Sequence, residues 1–205
     1  MPIEDHLALA DWRRRVADLY GSVRREPDLV QGWMRWRTAR DALFREHPQS
    51  PLPPEQRVSF GGLNYFDHQP SARVLATVTP AQPQHLEIPT SGERPMSFDR
   101  VATAHFTLGD NELDLDCYWL DSYGGGLFVP FRDATGGSET YGAGRYLLDT
   151  VKGADLGMEG ERLILDFNFA YNPSCSYDSR WVCPLAPPAN HLSVAVRAGE
   201  RFGSV

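Results

Sequence analysis

The sequence predicts a mainly β fold, an antiparallel β-barrel or closed sandwich of about eight to ten strands with two N-terminal α-helices. Apolar side chains recur at helical spacing in residues 1–46, whereas residues 58–202 contain short apolar stretches about ten residues apart, each bounded by Gly, Pro, Ser or Asp. The alternation of strand and helix that is typical of a parallel sheet is missing. The length of 205 residues suits one domain, so we expect residues 1–205 to fold as a single unit.

Two amphipathic helices are predicted at the start of the chain. The first spans Ile3–Arg25 and ends before Pro27, and the second runs from about Leu29 to about Glu46. Their periodic positions are Trp12, Val16, Leu19, Tyr20 and Val23 in the first helix, and Leu29, Trp33, Trp36, Arg40 and Leu43 in the second. The arginines of these helices could form an anion-binding face, but solvated helix faces explain them more simply. The proline-rich segment 47–54 is predicted to be a surface connector.

Strands are predicted from residue 58 onward. The β pattern begins with Phe60, Leu63 and Tyr65. The further predicted strands cover residues 73–79, 84–88, 94–98, 101–108, 112–119, 127–132, 146–149, 163–165 and 191–197, and residues 151–161 are predicted to be turns.

The strand 112–119 has the clearest alternation of polar and apolar side chains. Glu112, Asp114 and Asp116 share one face, and the apolar side chains, with Cys117, share the other. Three carboxylates on one face could hold a hard cation. A solvated acidic face is the simpler interpretation.

A glycine-rich loop spans residues 133–145. Its four glycines could cradle a phosphate with backbone N–H groups, but their spacing matches neither GxGxxG nor GxxxxGKS. Those motifs require a helix to follow, and here a strand is predicted instead. We interpret it as an ordered loop that holds Asp133, Thr135, Tyr141 and Arg145 in place.

Cys175 and Cys183 enclose a short loop that is rich in aromatic residues and is expected to pack onto the domain. A zinc site would need four ligands, and only His191 is a further candidate. A disulfide would close a loop of about nine residues and contribute roughly 2.5 kcal/mol in the chain-entropy model. Two reduced thiols, held by the burial of Tyr177 and Trp181, are the simplest interpretation.

Four segments of the chain resemble a known family. They are RDALFREHPQSPL at residues 40–52, FGGLNYF at 60–66, FVPFRDATGGSETYGAGRYL at 128–147 and LDFNFAYNPSCSYDSRWVCPLAPPANHLSVAVRAGE at 165–200. Together they resemble the family called domain of unknown function 1684. The resemblance covers roughly residues 33–202 and implies no catalytic role, because the family has no assigned function.

Charge and hydropathy exclude several classes of partner. The net charge is −7, and residues 103–205 carry 7 basic against 14 acidic side chains, so a nucleic acid is not an expected partner. Residues 1–21 lack the apolar stretch of a signal peptide, and no window has the roughly 18 consecutive apolar residues that a membrane helix needs. We therefore expect a soluble cytoplasmic protein without a membrane partner.

The candidate site combines polar and aromatic residues that lie in or beside the Gly- and Pro-rich segments. We predict that a small polar or anionic molecule binds in a pocket between the 133–145 and 171–183 loops, with the planar guanidinium of Arg145 as a forked donor. The predicted ligand-binding residues are Tyr141, Arg145, Asn168, Tyr171, Asn172 and Trp181. Arg145 could equally form a structural ion pair between loops.

An enzyme that uses the same pocket is the alternative hypothesis. A hydrolase or isomerase would use Asp133 or Glu200 as general base and Tyr141 as general acid. Because neither an activated nucleophile nor a metal-ligand spacing is present, the catalytic residues are unknown beyond these three candidates, and no metal or cofactor is predicted. A third class, a structural or partner-binding protein, predicts an exposed apolar patch and no enclosed pocket. The sequence leaves the oligomeric state open.

Overall fold

The computed structural model describes residues 2–203. Helix α1 (Ile3–Arg25) and helix α2 (Leu29–Glu46) pack on each other, so both N-terminal helices are confirmed. Asp28 caps α2, because its carboxylate accepts hydrogen bonds from the backbone N–H groups of Val30 and Gln31 at 3.0 and 3.1 Å. A four-residue helix, α3 (Pro54–Arg57), follows the connector.

The β region forms one seven-stranded antiparallel sheet. Its strands in chain order are β1 (Arg73–Ile88), β2 (Met96–Leu108), β3 (Asn111–Leu120), β4 (Leu127–Phe131), β5 (Arg145–Asp149), β6 (Met158–Glu159) and β7 (Arg162–Asp166). Their order across the sheet is β5-β4-β3-β2-β1-β7-β6. The sheet is curled but open, so the expected closed barrel or sandwich is wrong.

The predicted number of strands was too high because two pairs of predicted strands are continuous. Segments 73–79 and 84–88 both lie in β1, whose pairing with β2 shifts between Pro80 and Gln84. Segments 94–98 and 101–108 likewise merge into β2, whose pairing with β3 shifts between Arg100 and Ala102. An irregularity of this kind lets a strand carry a proline, which cannot donate to the ladder.

Two further predicted strands are not strands. Residues 60–65 make one isolated bridge, between Tyr65 and Glu200, and residues 191–197 make one, between Arg132 and His191. The 191–197 segment is instead bonded partly by side chains, since Asp133 accepts a hydrogen bond from the backbone N–H of Val196. Side chains here replace a neighbouring strand as the partners of the backbone.

The helices cover one part of the sheet and close an aromatic core over it. Tyr20 of α1 and Trp36 of α2 pack against Phe169, which follows β7, with ring centroids 6.5 and 5.1 Å away. The indole N–H of Trp33 donates to the carbonyl of Asn168 at 3.1 Å and fixes α2 to the same segment. Among the described residues, no helix combines the length and hydropathy that a membrane crossing requires.

Candidate functional site

Asp133 and Arg145 meet because β4 and β5 are antiparallel neighbours. Phe131, at the end of β4, pairs with Arg145 at the start of β5, so the residues that follow β4 lie beside those that precede β5. Gly144 makes this close approach possible: its φ is 100°, and a Cβ there would lie 2.6 Å from the carbonyl oxygen of Phe131. The 133–145 loop is therefore a rigid connection.

The guanidinium of Arg145 is 1% exposed and is occupied by the protein itself. Its Nη1 donates to the carbonyl oxygens of Ala198 and Glu200, and its Nη2 donates to the carbonyl oxygen of Val196 and lies 3.5 Å from the Asp133 carboxylate. Burial lowers the pKa of Arg145 to about 10, although Asp133 and Glu200 oppose this shift. Both terminal nitrogens hold the C-terminal segment against the sheet.

Glu200 belongs to a second buried ion pair. Its Oε2 accepts hydrogen bonds from Arg40 Nη2 of α2 at 2.7 Å and from the backbone N–H of Asn172 at 3.0 Å. Burial raises the pKa of Glu200 to about 7, with Arg40 opposing the shift. Burial would lower the pKa of Arg40, but Tyr65 and Glu200 outweigh it and the pKa is raised. Arg40 therefore keeps its charge.

A cavity of about 40 Å³ lies on the other side of Arg40, between the two helices and the segment after β7. Two cationic side chains, Arg40 and Lys152, line it, and no carboxylate from residues 2–203 does. The counter-ions of these two cations lie outside the cavity lining: Glu200 pairs with Arg40, and Asp149 lies 3.0 Å from Lys152 Nζ. The full lining is Trp12, Val16, Leu19, Tyr20, Trp36, Arg40, Leu43, Phe44, Pro51, Lys152, Ala154, Tyr171, Asn172 and Ser174.

Three polar atoms of the cavity lining lack a well-aligned hydrogen-bond partner in the described part of the chain, although the Tyr20 hydroxyl and the Trp36 indole N–H lie close enough to interact with each other. They are Tyr20 Oη, Trp36 Nε1 and Asn172 Oδ1, on side chains that are 2%, 0% and 4% exposed. Arg40, which also lines the cavity, donates from its Nε to Tyr65 and from its Nη2 to Glu200, and its Nη1 takes part in neither bond. Buried polar groups are normally paired, so this concentration in one cavity is unusual.

The sequence-predicted site residues fall into two groups. Tyr171 and Asn172 line the cavity, whereas Arg145 and Asp133 lie in the saturated cluster beside the C-terminal segment. Asn168 is fully buried, and its side-chain amide is bonded to the Gln69 backbone on both sides and to Asp166.

The two predicted loops do touch. Tyr141 Oη lies 3.9 Å from Cys175 Sγ, and its ring packs on Phe202 at 5.5 Å between centroids. Trp181 is partly buried, with Arg180 over its ring at 5.2 Å and its carbonyl accepting from Ser91. Neither Tyr141 nor Trp181 lines the cavity, so the contact between the loops does not enclose it.

Arg40, Tyr20, Trp36 and Lys152 are the cavity residues that the sequence-based site missed. A signal was present, because Arg40 occupies the apolar stripe of α2, four residues after Trp36 and three before Leu43. A cation at a core-facing helical position must find partners in the interior. The interpretation of the helix arginines as solvated faces is wrong for Arg40, because its side chain is 12% exposed.

The other candidate clusters hold no site of comparable kind. On β3, Asp114 is paired with His105 at 2.5 Å and Asp116 with Arg100 at 2.8 Å, so cross-strand partners occupy the acidic face. All three cysteines have free thiols, and no group of three His, Cys, Asp or Glu side chains within residues 2–203 is arranged to hold a metal ion.

Comparisons with known proteins agree with the resemblance seen in the sequence. The family model described as a protein of unknown function, DUF1684, matches residues 58–201. A solved structure, the solution NMR structure of an uncharacterised protein of Haloarcula marismortui, is 43% identical with a TM-score of 0.59, over 80% of this chain and 89% of that one. Among curated proteins, none matches the chain. The matched region is well over half of the sequence, and the chain therefore belongs to the DUF1684 family.

Proposed function

We propose that this protein binds a small polar or anionic molecule in the cavity beside Arg40. The observation that carries the proposal is a set of buried polar atoms without well-aligned partners, on Tyr20, Trp36 and Asn172, three residues that line one cavity. A buried polar group without a partner costs about 1–3 kcal/mol, so three of them in one place are explained by a molecule that completes their bonds.

The lining defines the chemistry of the ligand. Trp36 Nε1 and Arg40 Nη1 are donors, and Tyr20 Oη can donate as well, so the ligand must present acceptor oxygens. The cations Arg40 and Lys152 favour a negative charge, while Asn172 Oδ1 accepts from a hydroxyl or a protonated group. A planar oxyanion satisfies the donors among these groups, and its bond to a guanidinium is charge-assisted. An oxyanion that keeps a hydroxyl, such as bicarbonate, also donates to Asn172 Oδ1.

The volume of the cavity sets the size of the ligand. A cavity of this kind needs about 10–15 Å³ for one water molecule. The observed 40 Å³ therefore accommodates about three water molecules or a ligand of about three or four heavy atoms. Formate, acetate, bicarbonate and nitrate are of that size, whereas a nucleotide or a sugar phosphate is too large for the cavity as it stands.

The larger groove between α1 and α2 is a weaker candidate. It encloses about 450 Å³ and is lined by Asp11, Arg15 and His47 among others. These charged groups already pair with one another: Asp11 lies 2.7 Å from Arg15 and 3.3 Å from His47. A ligand there would have to break existing pairs, and exposed pairs of this type contribute little to recognition.

A thermal-shift comparison tests the proposal. Formate, acetate, bicarbonate and nitrate are added at constant ionic strength, with chloride as the reference anion, to the wild type, to Tyr20→Phe and to Tyr118→Phe. Tyr118 is the matched control, because its buried hydroxyl donates to Asn190 at 3.4 Å and lies outside the cavity lining. We expect at least one oxyanion to raise the melting temperature of the wild type and of Tyr118→Phe, and to have a smaller effect on Tyr20→Phe. Equal shifts in all three proteins, or none, would contradict the proposal.

An acid–base enzyme remains a second candidate because one observation favours it. Glu200 is a buried carboxyl with a raised pKa, as expected for a general base that works near neutral pH, and it lies directly behind Arg40. Deuterium incorporation into the C–H bonds of small carboxylic acids in D₂O tests this. Deuterium incorporation by the wild type that is lost in Glu200→Gln supports catalysis. Exchange by the wild type at only the uncatalysed rate rules out this candidate function.

A further inference from the structure

Cys175 and Cys183 form a pair of thiols that the proposed binding function does not use. Cys175 is partly exposed and lies two residues after Pro173, whose backbone is extended, whereas Cys183 is 5% exposed. Both pack in the aromatic core cluster that contains Tyr146, close enough together for each thiol to shift the pKa of the other. One accessible thiol is therefore in contact with one sheltered thiol.

The surrounding structure fixes Cys183 and leaves Cys175 accessible. The backbone N–H of Cys183 donates to Ser91 Oγ at 3.0 Å, and the backbone N–H of Ser91 donates to the Cys183 carbonyl at 2.9 Å. This reciprocal bonding ties Cys183 to the turn between β1 and β2. Cys175 lies in a three-residue 3₁₀ helix, Ser174–Ser176, with Tyr141 Oη 3.9 Å from its sulfur.

The three cysteines differ in acidity for identifiable reasons. Hydrogen bonds to the sulfur, first from Cys183 and then from Ser91 and Tyr141, hold the pKa of Cys175 below its ordinary value although burial opposes them. The same contact with Cys175, together with burial, raises the pKa of Cys183. Burial raises the pKa of Cys117, in the sheet, to about 12. Because the thiolate is the nucleophilic form, Cys175 is the reactive cysteine of the set.

We propose that Cys175 and Cys183 form a thiol–disulfide exchange site for small disulfides, with Cys175 as the nucleophile and Cys183 as the resolving thiol. The Cys175 thiolate attacks one sulfur of a small disulfide RSSR, an S–S bond forms, and RS⁻ leaves. Cys183 then loses its proton to the medium and attacks Cys175 Sγ, which expels the second RS⁻. The two cysteine thiols are oxidised to one disulfide, and RSSR is reduced to two RSH.

The geometry favours the second step as well as the first. The attacking Cys183 sulfur is already in contact with Cys175, so closing the ring of about nine residues requires little loss of loop entropy. Lys152 is the nearby cation whose charge favours a Cys183 thiolate once Cys175 is blocked. The exchange site thus includes its own resolving step, which an isolated exposed cysteine lacks.

The reaction of the native protein with the aromatic disulfide DTNB tests the proposal. We expect the wild type to release two equivalents of thionitrobenzoate, to retain none, and to yield a peptide linked through Cys175 and Cys183. Cys183→Ser is expected to release one equivalent and to retain the mixed disulfide on Cys175. Cys117→Ser is the matched control and is expected to behave as the wild type. A wild type that retains thionitrobenzoate on Cys175, or a Cys175→Ser variant that reacts at the wild-type rate, overturns the proposal.

Alkylation of the wild type tests the nucleophile without any variant. Native protein is pulsed with iodoacetamide from pH 6 to pH 9, and the Cys175 and Cys117 peptides are quantified from the same sample. We expect Cys175 to be labelled at least about tenfold faster at pH 7 and its rate to level off below pH 8, whereas an ordinary thiol with a pKa near 8.5 is still accelerating there. Equal labelling of the two cysteines, or a Cys175 rate that still rises through pH 9, contradicts the proposal.

Discussion

Arg145 and Arg40 are both buried against carboxylates, but they are in different situations. Arg145 is 1% exposed, and its two terminal nitrogens are bonded to three backbone carbonyls and to Asp133. Arg40 is 12% exposed, is bonded to Tyr65 and Glu200, and lines a cavity with further polar atoms that lack well-aligned partners. The first arginine completes the fold, and the second has bonding capacity left.

The difference shows that a buried ion pair is not by itself a functional site. What separates the two regions is the number of hydrogen-bonding groups that the protein leaves unpaired. Around Arg145 the buried hydrogen-bonding groups are paired with other protein atoms, so removing the side chain should damage the fold. Around Arg40 several such groups lack well-aligned partners, so small changes to the cavity lining should alter the proposed binding while the fold is retained. Glu200 joins the regions, because its carbonyl accepts from Arg145 and its carboxylate accepts from Arg40.

The largest expected effect is on stability, in the Arg145 region. Arg145→Met leaves the buried Asp133 carboxylate without its counter-ion and removes the donor to the Val196 and Ala198 carbonyls. We expect a loss of about 3–5 kcal/mol in the free energy of unfolding. Urea denaturation measures it. A loss below about 1 kcal/mol would show that the cluster is not the structural restraint described here.

The next effect is a pH dependence at the junction of the two regions. The pKa of Glu200 is about 7 in the folded protein against an ordinary value of 4.5, so the folded state holds its proton more tightly than the unfolded state. This contribution to stability is complete below about pH 4.5 and is lost as the pH rises through 7. Relative to Glu200→Gln, which cannot titrate, the wild type should lose up to about 3 kcal/mol between pH 4.5 and pH 8. A constant difference between the two proteins would exclude the raised pKa.

A smaller effect is expected where the backbone brings Glu200 into place. Gly199 has a φ of 77°, and a Cβ there would lie 2.5 Å from the carbonyl oxygen of Phe167 and 2.7 Å from that of Ala170. Gly199→Ala should therefore cost about 2 kcal/mol, through the left-handed backbone and the displaced carbonyls. Gly61→Ala is the control, because no atom lies within 4 Å of its Cβ position and its φ is not positive. Similar melting temperatures for the two variants would contradict this account.

The smallest effect on stability is expected in the cavity. Tyr20→Phe removes a buried hydroxyl whose contact with the Trp36 N–H is poorly aligned, so it should change the free energy of unfolding by less than about 0.5 kcal/mol or increase it slightly. Tyr118→Phe, which loses a hydrogen bond to Asn190, should cost about 1 kcal/mol. Denaturation of both variants beside the wild type decides this, and a Tyr20→Phe loss as large as that of Tyr118→Phe would mean that the hydroxyl is structural.

The parts of the fold that local sequence patterns determine were predictable. Both N-terminal helices follow from an uninterrupted 3.6-residue period that stops near Pro27 and Pro48. The continuity of β1 was not predictable, because Pro80 and Pro83 normally end a strand and are tolerated here through a shifted pairing. The sheet stays open because of its tertiary packing, and the sequence of a single strand does not specify that packing.

The candidate site was predictable only in part, for a related reason. Asn172 is predicted as a polar residue beside a Pro-rich segment and Tyr171 as an aromatic wall of the pocket, and both predictions use local signals. Whether Arg145 or Arg40 has free donors depends on which carbonyls the folded chain brings to each, as Val196 and Ala198 show for Arg145. The sequence identifies polar residues in suitable positions, but only the folded structure shows which hydrogen bonds each of them makes.

The indole N–H resonances of the tryptophans provide the most direct test of the Arg40 cavity. Trp36 lines the cavity and its Nε1 has no well-aligned partner in the described residues, whereas Trp33 Nε1 on the same helix already donates to the Asn168 carbonyl. During a titration of ¹⁵N-labelled protein with formate or acetate at constant ionic strength, we expect the Trp36 resonance, assigned by its loss in Trp36→Phe, to move saturably while the Trp33 resonance stays. A Trp36 resonance that does not move with any of the small oxyanions, or that moves in step with Trp33, would contradict the claim that this cavity is the binding site.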